Sequence, residues 1–297
     1  VTATKGYGAE VVLNGLVYDD AYAKAVEIQK ETGATFLHPF NDKYVIAGQG
    51  TIGLEILEQL DGKVDTILCP IGGGGIIAGI AVAAKGINPN IKIVGVQTAN
   101  IPSMQESMKN GEVTTAFKST TIADGIAVKT PGDVTFEIIN ELVDEVVVVE
   151  EDEIAQGMLF LMENQKVVAE GAGAVTTAAL LSGKYVPKKD ENVVCVISGG
   201  NVDVNTLYRV IGTALTKEAR RYSFNTVIQD KPGGLAELTK IISEYDANIL
   251  SANLSRSSMG GALGSLTAEM VLETFNHDHI DKLKVAITEA GFEIVEI

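Results

Sequence analysis

Four consecutive glycines, Gly72–Gly75, constrain this chain more than any other feature. They follow the apolar run Thr66–Pro70 and precede the apolar, small-residue stretch Ile76–Lys85, so a buried strand has to pass into a helix through residues without a Cβ. Such a turn lets backbone N–H groups approach an anion closely, and the field at the helix start favours negative charge. A tight packing turn would need only one or two glycines, so four in a row point to a held phosphate. No Gly-Lys-Ser/Thr follows, which excludes the nucleotide-binding P-loop. The spacing Gly73-x-Gly75-x-x-Ala78 fits the loose dinucleotide fingerprint. That reading needs a carboxylate about 20 positions on, and the next strand, Ile91–Val96, is followed by Gln97, with no acid until Glu106. A nicotinamide oxidoreductase is therefore disfavoured.

The glycine turn sits in a chain of 297 residues, long enough for about two domains. Hydrophobic residues make up 46%, enough to build a core, and the formal net charge of −16 argues against nucleic-acid or anionic-membrane partners. Cys69 and Cys195 lie in separate apolar runs, as expected of buried thiols in the reducing cytoplasm rather than of a disulfide. The uncharged run Thr66–Ala84 approaches the length of a membrane helix, but Pro70 and the glycines break it. No secretory signal opens the chain, and its first residue is Val rather than Met, as in a processed or partial sequence.

Periodicity predicts a strand at Ala9–Leu13, a helix over Asp19–Thr32, a strand at Ala34–Leu37 and a helix over Gln49–Leu60. Thr66–Pro70, Ile76–Lys85 and Ile91–Val96 then form a β-α-β unit with parallel strands and a right-handed crossover. Further expected elements are a strand at Val146–Val149, helices at Glu151–Val168 and Gly173–Leu181, a strand at Val193–Ile197 and a helix over Asn205–Ala219. Alternating strands and helices define an α/β domain with a mostly parallel sheet, residues 1–222. From 223 to 297 the order becomes β-α-β-β-α-β, a ferredoxin-like α+β unit: strands Phe224–Ile228, Asn248–Leu254, Ser265–Glu273 and Phe292–Ile297, with helices Gly233–Tyr245 and His279–Ala290. Leu266, Ala268, Met270 and Leu272 alternate with the other face of their strand, a half-buried pattern. A Gly-rich turn is expected at Met259–Gly264.

A second glycine pair closes the strand Val193–Ile197, in Ile197-Ser198-Gly199-Gly200-Asn201. Ligands of open α/β sheets lie beyond the carboxyl ends of strands, so both glycine turns can face one crevice, with Ser198 offering a neutral hydroxyl.

These stretches, together with Gly8-Ala-Glu-Val-Val-Leu13, Val45-Ile-Ala-Gly-Gln-Gly-Thr-Ile-Gly-Leu-Glu55, Ala123-Asp-Gly125 and Glu170-Gly-Ala-Gly-Ala174, resemble the threonine/serine ammonia-lyases (threonine dehydratases) over Val1 to about Arg221. The resemblance implies the tryptophan-synthase-β-like fold, fold type II of the pyridoxal-phosphate enzymes. It implies dehydrative deamination of L-threonine or L-serine to 2-oxobutanoate or pyruvate and ammonia. By the same match Gly72, Gly73, Gly74 and Gly75 hold the cofactor phosphate, Ser198 meets the pyridine nitrogen, and Gly125 and Glu170 lie near the ring. A neutral hydroxyl at that nitrogen leaves the ring a weaker electron sink, which suits β-elimination. The family's Ser-Phe-Lys-x-Arg-Gly-Ala segment, with its Schiff-base lysine, and its Ser-x-Gly-Asn-His carboxylate loop do not occur in these residues. Lys118, in Ala116-Phe-Lys-Ser-Thr, lacks the continuation and reads as an exposed loop lysine. The expectation is a C-terminal portion of a longer enzyme, inactive by itself. Serine racemases are close relatives, some with a divalent metal. The matching positions here, Gln97 and Ser103 with Ile101 between, carry no charged oxygen, so no metal is expected.

Asp230-Lys-Pro-Gly-Gly-Leu235, in its β-α-β-β-α-β setting, resembles an ACT domain, a module that commonly binds an amino-acid effector and pairs through its sheet. That implies effector contacts at Asp230, Pro232, Gly233, Gly234 and Leu235, and a homo-oligomer. A single such unit is closer to the catabolic branch; some members respond to AMP, with Asn201 and Gly6 as candidate positions. His277 and His279 beside Asp278 read as solvated, since neighbouring residues make a poor metal site. His38 reads as structural and Glu150–Glu153 as a helix start. The competing readings are a non-catalytic amino-acid sensor built on residues 223–297 and a serine racemase-like enzyme.

Overall fold

The computed structural model describes residues 1–15, 18–117, 120–256 and 264–296. Lys118, Ile297 and most of the expected turn Met259–Gly264 lie outside the described residues. Two sheets organise the rest. The first is parallel, with β1 (Thr66–Pro70), β2 (Lys92–Thr98), β3 (Glu145–Val149) and β4 (Val193–Cys195) in the order β3-β2-β1-β4. β1 is fully buried and β2 nearly so, as two-sided cover by helices requires. Helix α1 is Thr2–Gly6, α2 Tyr18–Thr32, α3 Lys43–Gln59, α4 Gly75–Ile87, α5 Ser103–Asn110, α6 Asp133–Leu142, α7 Glu151–Phe160, α8 Gly171–Leu181 and α9 Val204–Lys217. One core, around Ile67, Ile77, Ile80 and Ile139, fills the side of α3, α4 and α6; another, around Leu68, Ile154, Met158 and Val175, fills the side of α7 and α8.

The chain runs outward from β1 to β2 and β3, then returns to place β4 against the other edge of β1. The order reverses between β1 and β4, and both glycine turns leave the carboxyl ends of those two strands. This is the position at which open α/β sheets bind ligands. α4 packs closely on α3: a Cβ on Gly79 would fall 2.6 Å from the Gly50 nitrogen and collide with the Ile46 carbonyl.

The second sheet is antiparallel, in the order β6-β7-β5-β8, with β5 Arg221–Gln229, β6 Asn248–Ser255, β7 Ser265–Glu273 and β8 Val295–Glu296. Helices α10 (Gly234–Glu244) and α11 (His277–Glu289) supply Leu238, Ile242, Leu283 and Ile287 to its core. From β7, Leu266, Ala268, Met270 and Leu272 point inward, the alternation read from the sequence.

Several expected elements differ. Ala9–Leu13 and Ala34–Leu37 form neither helix nor strand. Among the described residues neither has a strand beside it, and a strand exists only through a ladder with a neighbour. α3 begins at Lys43, six residues earlier than expected, because Asp42 caps it by accepting from the Tyr44 and Val45 N–H groups. α7 stops at Phe160 and continues as a wide π turn, Leu161–Gln165, ending at Lys166 in left-handed conformation (φ 59°). The apolar pattern to Val168 does not register that break. Helices α5 and α6 carry no expectation from the sequence.

Candidate active site

The glycine turn is closed on all sides but one. Gly74 caps α4 in left-handed conformation, φ 98°, which a side chain rarely adopts. A Cβ there would meet Ile139 Cδ1 at 2.8 Å and Thr135 Oγ1 at 2.9 Å, while one on Gly73 would collide with the Phe40 ring. Thr135, on α6, donates its hydroxyl to the Gly73 carbonyl at 2.6 Å and so fixes the outward-facing side of the turn. Phe40 is held by His38, whose Nδ1 accepts from the N–H groups of Phe40 and Asn41. Burial holds the His38 imidazole below its usual range, with Asp42 and Asp133 opposing, so the neutral, accepting form is favoured. His38 is thus structural, as its setting before Pro39 implies. Asn41 ties this segment to the start of α6 through Asp133 Oδ1 at 2.6 Å and the Val134 N–H at 3.1 Å.

Beside the turn lies a crevice of about 450 Å³. All seven residues expected at the cofactor line it: Gly72, Gly73, Gly74, Gly75, Gly125, Glu170 and Ser198. Glu170 is the N-cap residue of α8, and its backbone N–H donates to the Gly199 carbonyl at 3.1 Å. Its carboxylate lies against Gly125 and Gly199, where added Cβ atoms would crowd it. Ser198 is exposed to the opening. Among the described residues the N–H groups of Gly72, Gly73 and Gly74 donate to no acceptor, although Gly73 and Gly74 are buried. Buried donors without partners are rare, and three together at a helix start form an anion cradle. On that ground the residues present fit a cofactor phosphate.

The sequence offers less warning of Phe40 and Thr135, which wall the turn at Gly73 from 33 and 62 positions away. Their contacts are tertiary; only the spacing Phe136, Ile139, Leu142 after Pro131-Gly132 marks α6 as a helix. Gln97 and Ser103, the positions matching a racemase-type metal site, are buried and engaged. Gln97 Oε1 accepts from the Met104 and Gln105 N–H groups at 3.1 and 2.9 Å, and Ser103 donates to the Val128 carbonyl. They cap α5. Glu150 and Glu153 form a reciprocal cap at the start of α7, the role their sequence position implies. Cys69 and Cys195 are free thiols, pushed up by burial, Cys195 to about 11, so neither is a thiolate nucleophile at neutral pH.

The expected effector residues fall elsewhere. Gly233 caps α10 with φ 91°, and Asp230 is engaged by Arg256 through two hydrogen bonds of 2.8 and 3.0 Å. Asn201 follows β4 in the other unit and is exposed, and Gly6 ends α1, also exposed.

An open parallel sheet with a phosphate cradle at its reversal point defines a class of cofactor-holding α/β enzymes. The family model for pyridoxal-phosphate dependent enzymes matches residues 1–199, and the chain belongs to that family. It is 48% identical over 294 residues to an L-threonine ammonia-lyase of Thermotoga maritima, covering 99% of this chain and 73% of that protein. Among solved structures it resembles the processed form of threonine deaminase isoform 2 from Solanum lycopersicum, with TM-score 0.66 and 36% identity over 72% of this chain and 62% of that one. It resembles maize serine racemase equally well, with TM-score 0.66 and 36% identity over 73% and 67%. The parallel unit therefore has the fold type II architecture of these pyridoxal-phosphate enzymes.

Proposed function

We propose that residues 1–222 form the cofactor-holding part of an enzyme that deaminates L-threonine, and L-serine, to 2-oxobutanoate or pyruvate and ammonia. The observation that carries this reading is the convergence of three unpaired glycine N–H groups with Gly125, Glu170 and Ser198 around one crevice. In it, Gly72, Gly73 and Gly74 receive the phosphate through their N–H groups, with the α4 dipole adding to the attraction. Ser198 offers the pyridine nitrogen a neutral hydroxyl. Phe40 and Thr135 keep the turn in shape and water off its inner side. Pyridoxal phosphate, when bound, supplies the electron sink for breaking bonds at the substrate Cα. The reaction loses one water with the β-hydroxyl and regains one as nitrogen leaves, so it needs no oxidant or reductant.

No lysine among the described residues lines the crevice, and the family's lysine segment does not occur in the sequence. The lysine that removes the Cα proton is therefore assigned to residues outside these 297. A racemase finds less support, because Gln97 and Ser103 already satisfy the backbone. Residues 223–297 are read as an ACT-type regulatory unit of a cytoplasmic homo-oligomer. Its effector contacts are Asp230, Pro232, Gly233, Gly234 and Leu235, with Asn201 as a further candidate for AMP.

Two measurements test this. Protein that includes the lysine segment, loaded with cofactor, should convert L-threonine to 2-oxobutanoate; a loaded protein that leaves threonine untouched overturns the reading. The present chain should bind pyridoxal phosphate in competition with inorganic phosphate, and Gly74→Ala should weaken that binding by about tenfold or more, because its Cβ has no room beside Ile139 and Thr135 and displaces the N–H groups of the turn.

A further inference from the structure

Outside the crevice, positive charge gathers around a second cavity of this acidic chain. A shallow cavity of about 850 Å³ lies where α9 meets the start of β5, and Arg209, Lys217, Arg221 and His277 line it together with a single carboxylate, Asp152. The chain has 39 acidic residues against 23 Lys and Arg, so three of those cations around one carboxylate form a local inversion of its charge.

The four are not equally available. Lys217 is paired with Asp152 at 2.7 Å. Arg209 gives one Nη2–H to Thr206 Oγ1 at 3.2 Å and forms no ion pair among the described residues, although Asp203 lies near enough to feel its charge. Arg221 is the least satisfied. Its Nε is shut off from solvent and has no hydrogen-bond partner among the described residues, and its guanidinium extends over α9 at Gly212, where a Cβ would sit 3.1 Å from Nη1. Glu273 faces Arg221 in the β5–β7 register but makes no ion pair with it. A buried guanidinium N–H without an acceptor is unfavourable. Arg221 also lines the cavity, beside the two further cations Arg209 and Lys217.

We propose that this junction cavity binds a small phosphate-bearing anion. Two planar guanidinium forks and an ammonium supply more donors than one carboxylate accepts, and they match the several oxygens of a phosphate. The volume exceeds that of a bare phosphate, which points to a phosphate ester or diphosphate. An anion seated there bridges α9 of the parallel unit to β5 of the antiparallel one. This site is separate from the glycine cradle and does not rest on the proposed reaction.

Titration calorimetry of the full chain with pyrophosphate tests it, in parallel with Arg221→Gln, Arg209→Gln and, as a distant surface control, Lys240→Gln. Pyrophosphate should bind in about the millimolar range or tighter. Arg221→Gln should weaken it by about tenfold or more and Arg209→Gln severalfold, while Lys240→Gln leaves it unchanged. Arg209 lies on α9 away from the core, so its variant keeps the test valid if Arg221→Gln fails to fold. Saturable heat that survives in both arginine variants belongs to the glycine cradle and overturns the proposal, as does the absence of any saturable heat. Malate binding as tightly as pyrophosphate, with the same arginine dependence, overturns the phosphate assignment.

Discussion

Gly74 and Gly233 occupy the same place in two copies of one local device. Each follows a strand, takes a positive φ (98° and 91°), and caps a helix without a side-chain hydrogen bond. Their surroundings differ. Around Gly74 the neighbouring α6 residues leave no room for a Cβ, whereas a Cβ on Gly233 would meet nothing within 4 Å. The backbone demands glycine at both positions; only at the first does the tertiary structure demand it again. A turn that is both strained and enclosed can present unpaired N–H groups to a ligand out of reach of water, which the open turn cannot do without a partner.

The largest expected effect follows from that difference. Gly74→Ala combines a left-handed alanine, about 1–2 kcal/mol, with overpacking of about 1–3 kcal/mol, for a loss of ~3 kcal/mol and a melting midpoint lower by about 8 °C. Gly233→Ala should lose only the backbone part, about 1–2 kcal/mol. Equal losses in the two variants, measured by thermal unfolding, would remove enclosure as the distinction. Gly73 sharpens the point. Its would-be Cβ collides with a side chain, the Phe40 ring, rather than with backbone. In a double-mutant cycle, Phe40→Ala should therefore recover about 1–2 kcal/mol of the Gly73→Ala penalty. The same Phe40→Ala background should leave the Gly74→Ala penalty unchanged.

The two units should also fail at opposite ends of the pH scale. In the parallel unit, Thr66 Oγ1, Tyr185 Oη and the Lys188 N–H all donate to Glu191, holding its carboxyl down to about 2. A carboxyl depressed on folding contributes stability above the ordinary value near 4.5 and loses it as pH falls toward 2. In the antiparallel unit, burial, with Glu296 nearby, pushes the Tyr222 phenol up to about 12. A phenol raised on folding contributes fully below pH 10 and loses that contribution as pH rises toward 12. Stability measured by circular dichroism across both ranges checks this: Glu191→Gln should reduce the acid arm and Tyr222→Phe the alkaline arm. The acid effect is the smaller one, since Glu191 lies near solvent.

What the sequence displayed, and what it withheld, divides along the same physical line. The β1–glycine–α4–β2 unit was legible because its signals are local: an apolar run, four residues without side chains, an apolar helix. The antiparallel unit was legible through its alternation and its order of elements. The strands expected at Ala9–Leu13 and Ala34–Leu37 were not formed, because pairing depends on a neighbour that their own residues cannot specify. The wall of the candidate site, Phe40 and Thr135, was hidden for the same reason. Gln97 registers in the sequence only as a residue without charge where a ribose-binding acid or a metal ligand would stand, and its actual work, capping α5 from a buried strand end, depends on a fold not yet in view.

The smallest expected effect sets one substitution against itself in the two units. Thr135 and Thr226 are both buried. The first donates its hydroxyl to the Gly73 and Gly132 carbonyls, at 2.6 and 3.1 Å, while the second, on the core face of β5, has no hydrogen-bond partner among the described residues. Valine keeps the shape and removes the hydroxyl. At Thr135 it breaks the bond that fixes the cradle and leaves a buried carbonyl short of a donor, a loss of about 1–2 kcal/mol. At Thr226 it relieves an unpaired buried hydroxyl between Phe224 and Ile228, a gain of about 1 kcal/mol. Thermal unfolding of Thr135→Val and Thr226→Val should therefore move the midpoint in opposite directions. Destabilisation at both would mean that Thr226 has an acceptor after all, such as an ordered water, and that the core of the antiparallel unit is wetter than its packing implies.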